Sequence, residues 1–427
     1  MFRKLCSITM ILVAAALITA CASPAPGGGV TPGAAPQADE PVTLRVLTSA
    51  GSVFTVAFEE MIPQFEDVGI NIMMDSFDFV TYEGRQRLAF ASGGGEYDLI
   101  FVPGNGVRIG AQANALRDVT DIVERIHGDT GVIYDSVRYM QTMDGRWFAS
   151  PATADTMVLV YRSDLISESE VPTTMEELKA LAERVMTDDI YGLAIPGGPG
   201  EASSSFFSYF LWSFGGTYLA PNMEPQLNTP EAIAAAEMFA TLNQRFAPAG
   251  VSTWQNEETI STFLAGHLAM MVIWPMGYVR ALDPEASMVY DRVGVAKVPA
   301  GPAGAMPRLG GWGLGITEST NHLEAATTVM EMFGSPESFR AMAARQSVAT
   351  RVINEDPEVI AANPVIPAAS AALDFAMERP VLPESPLINT AVGNAVNAII
   401  AGQDAAETMA AVNAEVRAIL VEGGHLN

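Results

Sequence analysis

The residues Tyr97-Asp98-Leu99-Ile100-Phe101-Val102-Pro103-Gly104-Asn105-Gly106 hold four consecutive apolar side chains, closed by a proline–glycine turn. A run so short and so apolar reads as a strand covered on both faces, as inside a parallel sheet. Upstream, Val42–Leu47 is a β-rich run ending in Thr48-Ser49-Ala50-Gly51, and Val53–Phe65 carries helical apolar spacing. Gly69–Met74 reads as a second strand, and Tyr82–Ser92 as a helix ended by Gly93-Gly94-Gly95. Strand alternating with helix predicts an α/β fold with a covered parallel sheet. Ligands of such sheets sit beyond the carboxyl ends of strands. That rule places Ser49–Ser52 and Pro103–Gly106 on one rim and makes Ser49 and Ser52 candidate contacts.

The pattern continues downstream. Thr156–Tyr161 is a strong strand, and Thr174 with Glu177 three residues on predicts a capping box for a helix over Met175–Met186. Ile190–Ile195 reads as a strand, Ser203–Phe214 as a helix, and Thr229-Pro230 opens a long Ala-rich helix with proline at its first position. Thr259–Gly266 is helical, Leu268–Trp274 an apolar strand, Val293–Val298 another, and Gly310–Ile316 a glycine-interrupted one. Helices dominate after Leu323. Asp144-Gly145 marks a hairpin turn before Trp147.

The chain has 427 residues, 49 acidic and 23 basic, for a net charge of -26. The length predicts two or three domains. The acidic balance, with lysine only at 4, 179 and 297, argues against a nucleic-acid partner, which needs a concentrated basic surface. The cysteines are Cys6 and Cys21, so the body beyond them has no thiol chemistry. His127, His267, His322 and His425 lack ligand spacing, and no metal or cofactor is expected.

The N-terminus reads as an address. Arg3 and Lys4 precede an apolar run from Leu5 to Ala20, the form of a secretory signal peptide over 1–20. Ile18-Thr19-Ala20-Cys21 resembles a bacterial lipobox, which implies cleavage before Cys21 and acylation of that cysteine. An ordinary signal cut nearby or an uncleaved anchor are the alternatives. Residues 21–41 are rich in Gly, Pro and Ala and cannot bury enough surface to fold, so they form a tether spanning about 25 Å.

The order of segments resembles the extracellular solute-binding proteins of ABC transporters, specifically the carbohydrate-type family that includes maltose-binding protein. The resemblance is carried by Tyr97–Val102, Met157–Leu165, Val171–Leu178, Phe214-Gly-Gly216, Phe263–Met270, Arg292–Pro299 and Gly310–Ile316. It implies two discontinuous lobes around a central cleft, one of 42–154 plus 285–335 and the other of 155–280 plus 340–427. It further implies a non-enzymatic, monomeric importer component that closes on a small carbohydrate and delivers it to ABC permease subunits. The membrane is then met only through the lipid anchor.

Matched to the family pattern, Asn105 and Asp155 fall where ligand-binding groups occur, Asp155 at the lobe crossover. Ser205 and Phe206 fall where aromatic contacts are frequent, Ser205 being a departure. Trp274 precedes Pro275, whereas many members place tryptophan after that proline, where Met276 stands. Trp312 matches a frequent cleft position, with Gly311 offering backbone groups. Trp212 reads as core, and Trp147 as structural. Few aromatics disfavour a long oligosaccharide, leaving a mono- or disaccharide or another polyol. A polyamine remains open, as does a phosphate ester, for which Arg108 and Arg351 are the candidate cations. A secreted glycoside hydrolase is a further alternative, its carboxylates drawn from Asp75, Asp78 and Glu83.

Overall fold

The computed structural model describes residues 41–128 and 133–427. The expected signal peptide, the Cys21 lipidation site and nearly all of the 21–41 tether lie outside the described residues. Strand β1 (Val42–Ser49) pairs in parallel with β2 (Ile70–Phe77) and β3 (Leu99–Pro103). Helices α1 (Val53–Asp67) and α2 (Phe79–Ala91) connect them. The apolar run of β3 serves two cores at once, because successive side chains on a strand face opposite ways. Leu99 and Phe101 pack with Phe54, Phe58 and Phe65 of α1. Ile100 and Val102 pack with Tyr82, Ala89 and Phe90 of α2 and with Val107 of α3 (Gly104–Gln112). Each such buried side chain contributes roughly 1.5–3 kcal/mol, so a polar residue anywhere in the run would be costly.

A hairpin of β4 (Thr142–Met143) and β5 (Arg146–Trp147) turns through Asp144 and Gly145, both at positive φ. Trp147 is buried there, as a structural residue. Next comes a nearly continuous extended stretch, β6 (Ser150–Thr156) and β7 (Val158–Arg162), interrupted only at the buried Met157. β7 lies between β8 (Met270–Ile273) and β9 (Val293–Lys297), antiparallel to both, whereas β10 (Leu309–Ile316) lies between β3 and β6. Beside the β4-β5 hairpin, the described residues thus form two larger sheets, ordered β2-β1-β3-β10-β6 and β8-β7-β9. Among the described residues no helix is long and apolar enough to cross a membrane.

Four expectations are corrected. Residues 285–335 do not all stay with the first sheet: β10 does, but β9 fills the free edge of β7 in the second. Residues from 340 do not all join the second: the helix Pro336–Ala343 packs against α1, and Arg345 pairs with Glu60 of α1 at 2.8 Å. Ile190–Ile195 forms only isolated bridges, at Tyr191 and Ala194, since Asn243 Oδ1 takes the Ile195 N–H at 3.1 Å. Gly104–Gly106 is the first turn of α3 rather than a free turn. The capping box at Thr174 and Glu177 forms as expected, with the Glu177 N–H donating to Thr174 Oγ1 at 3.2 Å.

The helix Ser385–Ile400 packs closely on the helix Glu201–Ser213. Gly393 makes that approach possible, since a Cβ there would overlap the Gly200 carbonyl oxygen. Gly393→Ala is expected to destabilise the protein by about 1–3 kcal/mol, read as a lower urea midpoint at unchanged slope.

Candidate ligand-binding site

On β10, Gly310 stands opposite Asp155 of β6, and Trp312 stands opposite both Pro103 of β3 and Thr153 of β6. The ends of β6 and β10 therefore meet the rim made by the carboxyl ends of β1 and β3. No side chain could occupy position 310. Asp155 Oδ1 fills that place, and Trp274 Cζ3 lies 2.7 Å from where a Cβ would stand. Glycine thus lets a carboxylate of the first sheet meet a tryptophan that directly follows β8 of the second.

Asp155 is 6% exposed and accepts a hydrogen bond from Gln346 Nε2. Loss of water pushes its carboxyl up to about 7, against the pull of Arg308. The Arg308 guanidinium lies 5.7 Å over the Trp274 ring and donates from Nη1 to Ser205 Oγ at 2.9 Å. It also approaches Glu201 at 3.5 Å and Glu378 at 3.6 Å. Arg379, with 2% of its side chain exposed, donates to the two Glu201 carboxylate oxygens at 2.7 and 2.9 Å and to Ser204 Oγ at 3.0 Å. This bidentate geometry is the strong form of an ion pair. Partial loss of water alone would raise the Glu201 carboxyl, whose side chain is 45% exposed; Arg379 and Arg308 outweigh it and hold that group below the ordinary range.

The opposite wall is aromatic. Trp312 packs on Phe54 at 4.6 Å, Tyr82 at 5.4 Å and Phe79 at 6.2 Å between ring centroids. Phe79 is 43% exposed, so this cluster shows a ring to solvent. Glu83 follows on α2. Partial burial and then the like charge of Glu201 raise its carboxyl, while Arg87, Arg379 and Arg308 oppose the rise. Glu83 thus lies within electrostatic reach of Glu201, Arg379 and Arg308. Rings that accept C–H faces, beside paired donors and acceptors, suit a polyhydroxylated solute.

Of the residues expected from sequence, Asp155, Ser205, Phe206, Trp274 and Gly311 lie in or beside this cluster. Phe206 is buried, its ring 6.3 Å from Trp274, and Gly311 stands opposite Ala154. Trp312 belongs to the aromatic wall. Met276 is exposed and opens the helix Met276–Ala281 two residues past Trp274. Ser49 is buried at the end of β1 and its carbonyl accepts from Thr55 Oγ1 at 2.8 Å; Ser52 caps α1 without a side-chain hydrogen bond to the helix. Asn105 is in the first turn of α3, and its side chain lies outside the described residues.

The residues of the alternative readings have partners of their own. Asp75 pairs with Arg45 at 2.7 Å, and Asp78 caps α2 by accepting from the Thr81 N–H at 3.1 Å. Arg108 stacks on Tyr139 and donates to the Thr142 and Tyr139 carbonyls, while Arg351 pairs with Asp374 at 2.6 Å. Sequence reasoning missed Phe79, Glu201, Arg308, Gln346, Glu378 and Arg379. The carboxyl-end rule applied to β2 would have found Phe79, but nothing local marks the others.

The chain matches the bacterial extracellular solute-binding protein family over residues 51–338 and belongs to that family. It is therefore a solute-binding protein of extracytoplasmic type. It is 31% identical over 252 residues to a Deinococcus radiodurans protein named "Probable ABC transporter-binding protein", covering 56% of this chain and 60% of that one. It is 25% identical over 355 residues to the mannitol-binding protein of Pseudomonas aeruginosa, covering 75% of this chain and 79% of that one. The crystal structure of an Agrobacterium radiobacter solute-binding protein in complex with ribitol superposes with a TM-score of 0.80 at 25% identity, covering 89% and 99% of the two chains.

An aspartate ionises near 3.9 in an unfolded chain. Held at about 7 in the fold, Asp155 keeps a proton that the unfolded chain has already released. Stability from this group therefore falls as pH rises between those values, by on the order of 4 kcal/mol in all. Asp155→Asn is expected to melt with wild type at pH 4 and above it at pH 8, measured by thermal denaturation across that range.

Proposed function

We propose that the protein is the substrate-binding component of an ABC importer and captures a small neutral sugar or polyol by hinge closure. The observation that carries this reading is the meeting of Trp274, Asp155 and Arg308 on one side with the Trp312–Phe79 wall on the other. The first lobe is residues 42–156 with 309–354, and the second 158–297 with 371–427. The chain crosses between them at Met157, at 298–308 and after 354. A ligand that binds the closed arrangement more tightly shifts the population toward it. The permease then reads the closed form. The protein acts as a non-enzymatic monomer tethered through acylated Cys21, since each buried methylene adds about 0.8 kcal/mol of membrane affinity.

Arg308 and Arg379 are matched by Glu201 and Glu378, which supports an uncharged solute over a phosphate ester or a polyamine. The mannitol- and ribitol-binding relatives support a polyol within that class.

The test is tryptophan fluorescence and thermal shift of the purified chain against ribitol, mannitol, maltose, spermidine and a sugar phosphate. One polyol or sugar is expected to stabilise the protein by about 4 kcal/mol at a thousandfold excess over Kd. Trp274→Ala and Trp312→Ala are each expected to weaken binding about tenfold. Response only to spermidine or the phosphate would replace the ligand class, and hydrolysis of a glycoside would overturn the binding role.

A further inference from the structure

Residues 346–349 run beside β6. The Ala154 N–H donates to the Ser347 carbonyl at 3.3 Å, and the Ala349 N–H to the Ala152 carbonyl at 3.2 Å. This pairing fixes the half-buried Gln346 next to Asp155. Gln346 Nε2 donates to Asp155 Oδ2, and among the described residues no other hydrogen-bond donor to the carboxylate is seen. Oδ1 is left in the gap that Gly310 leaves open, beside the edge of Trp274.

We propose that Gln346 is the positioning residue of the cleft carboxylate: by occupying Oδ2 it turns Oδ1 toward the ligand and ties ligand capture to the 346–349 segment. The proposal rests on the reading that a solute binds against Asp155. Its consequence is a defined role for each oxygen. With Oδ2 engaged by an N–H, a proton on the carboxyl resides on Oδ1, so the cleft offers a donor at low pH and an acceptor at high pH. The charged group facing Asp155 is Arg308, from the segment before β10. Glu201, Glu378 and Arg379 surround Arg308 from the second lobe, and Glu83 couples to it from α2. The neighbours Gln346 and Trp274 are neutral.

The test uses the full chain with Gln346→Met, which keeps the shape and removes the donor, and Gln346→Ala. Carboxyl carbon NMR of aspartate-labelled protein follows the titration of Asp155, assigned with Asp155→Asn and read without any ligand. Loss of a donor to the ionised form is expected to move the midpoint up by about one pH unit in both variants. Calorimetric titration with ribitol and mannitol is expected to show about tenfold weaker binding in both. Unaltered midpoint and affinity in the folded Met variant would overturn the positioning role while leaving the polyol reading intact. A shifted midpoint in a protein whose wild type binds neither polyol would overturn the ligand half of the proposal together with that reading.

Discussion

Met157 is fully buried, and the chain on either side of it belongs to different sheets. Residues 150–156 are hydrogen-bonded to β10, and from 158 onward the same extended backbone is hydrogen-bonded to β8 and β9. A backbone stripped of water must keep its donors and acceptors paired, so neither half of this segment can slide without breaking a ladder. The groups of the candidate site are placed from that junction: Asp155 two residues before it, Trp274 after the end of β8, and Gly310–Trp312 across from β6.

The cleft charges follow from the same enclosure. An arginine with 2% of its side chain exposed persists only beside carboxylates. Glu201 and Glu378 supply them to Arg379, and both also reach Arg308. Asp155 lies outside that exchange: among the described residues its one side-chain hydrogen bond comes from an amide, and loss of water raises its proton affinity. The site therefore combines a saturated ionic cluster, which resists rearrangement, with one carboxyl whose charge responds near neutral pH.

The architecture was legible in sequence where periodicity and cap chemistry act locally. β3, α1, the Thr174–Glu177 box and the Asp144-Gly145 turn could be read residue by residue, because their causes lie within a few positions. Sheet membership was not. The Val293–Lys297 segment looks alike whichever sheet it joins, and only the free edge of β7 decides. Asp155, Trp274 and Trp312 were singled out through their flanking strands and family pattern. Arg308, Arg379, Glu201 and Gln346 were not, because their meaning arises from partners more than 100 positions away, or 191 in the case of Gln346 and Asp155.

β10 carries glycine at 310, 311, 313 and 315, so half of this eight-residue strand is without side chains. It is also hydrogen-bonded on both edges, to β3 and to β6. Its neighbours fill the room its side chains would take: Asp155 and Trp274 at 310, Met140 at 311, Gln141 at 313, Leu116 at 315. This has an evolutionary corollary. Drift along the strand is nearly closed, because each glycine answers to a different neighbour. Exposed side chains at helix starts, such as Phe79 and Met276, meet no such constraint. Exchange is therefore cheaper there than on β10, the fixed template beside which they stand.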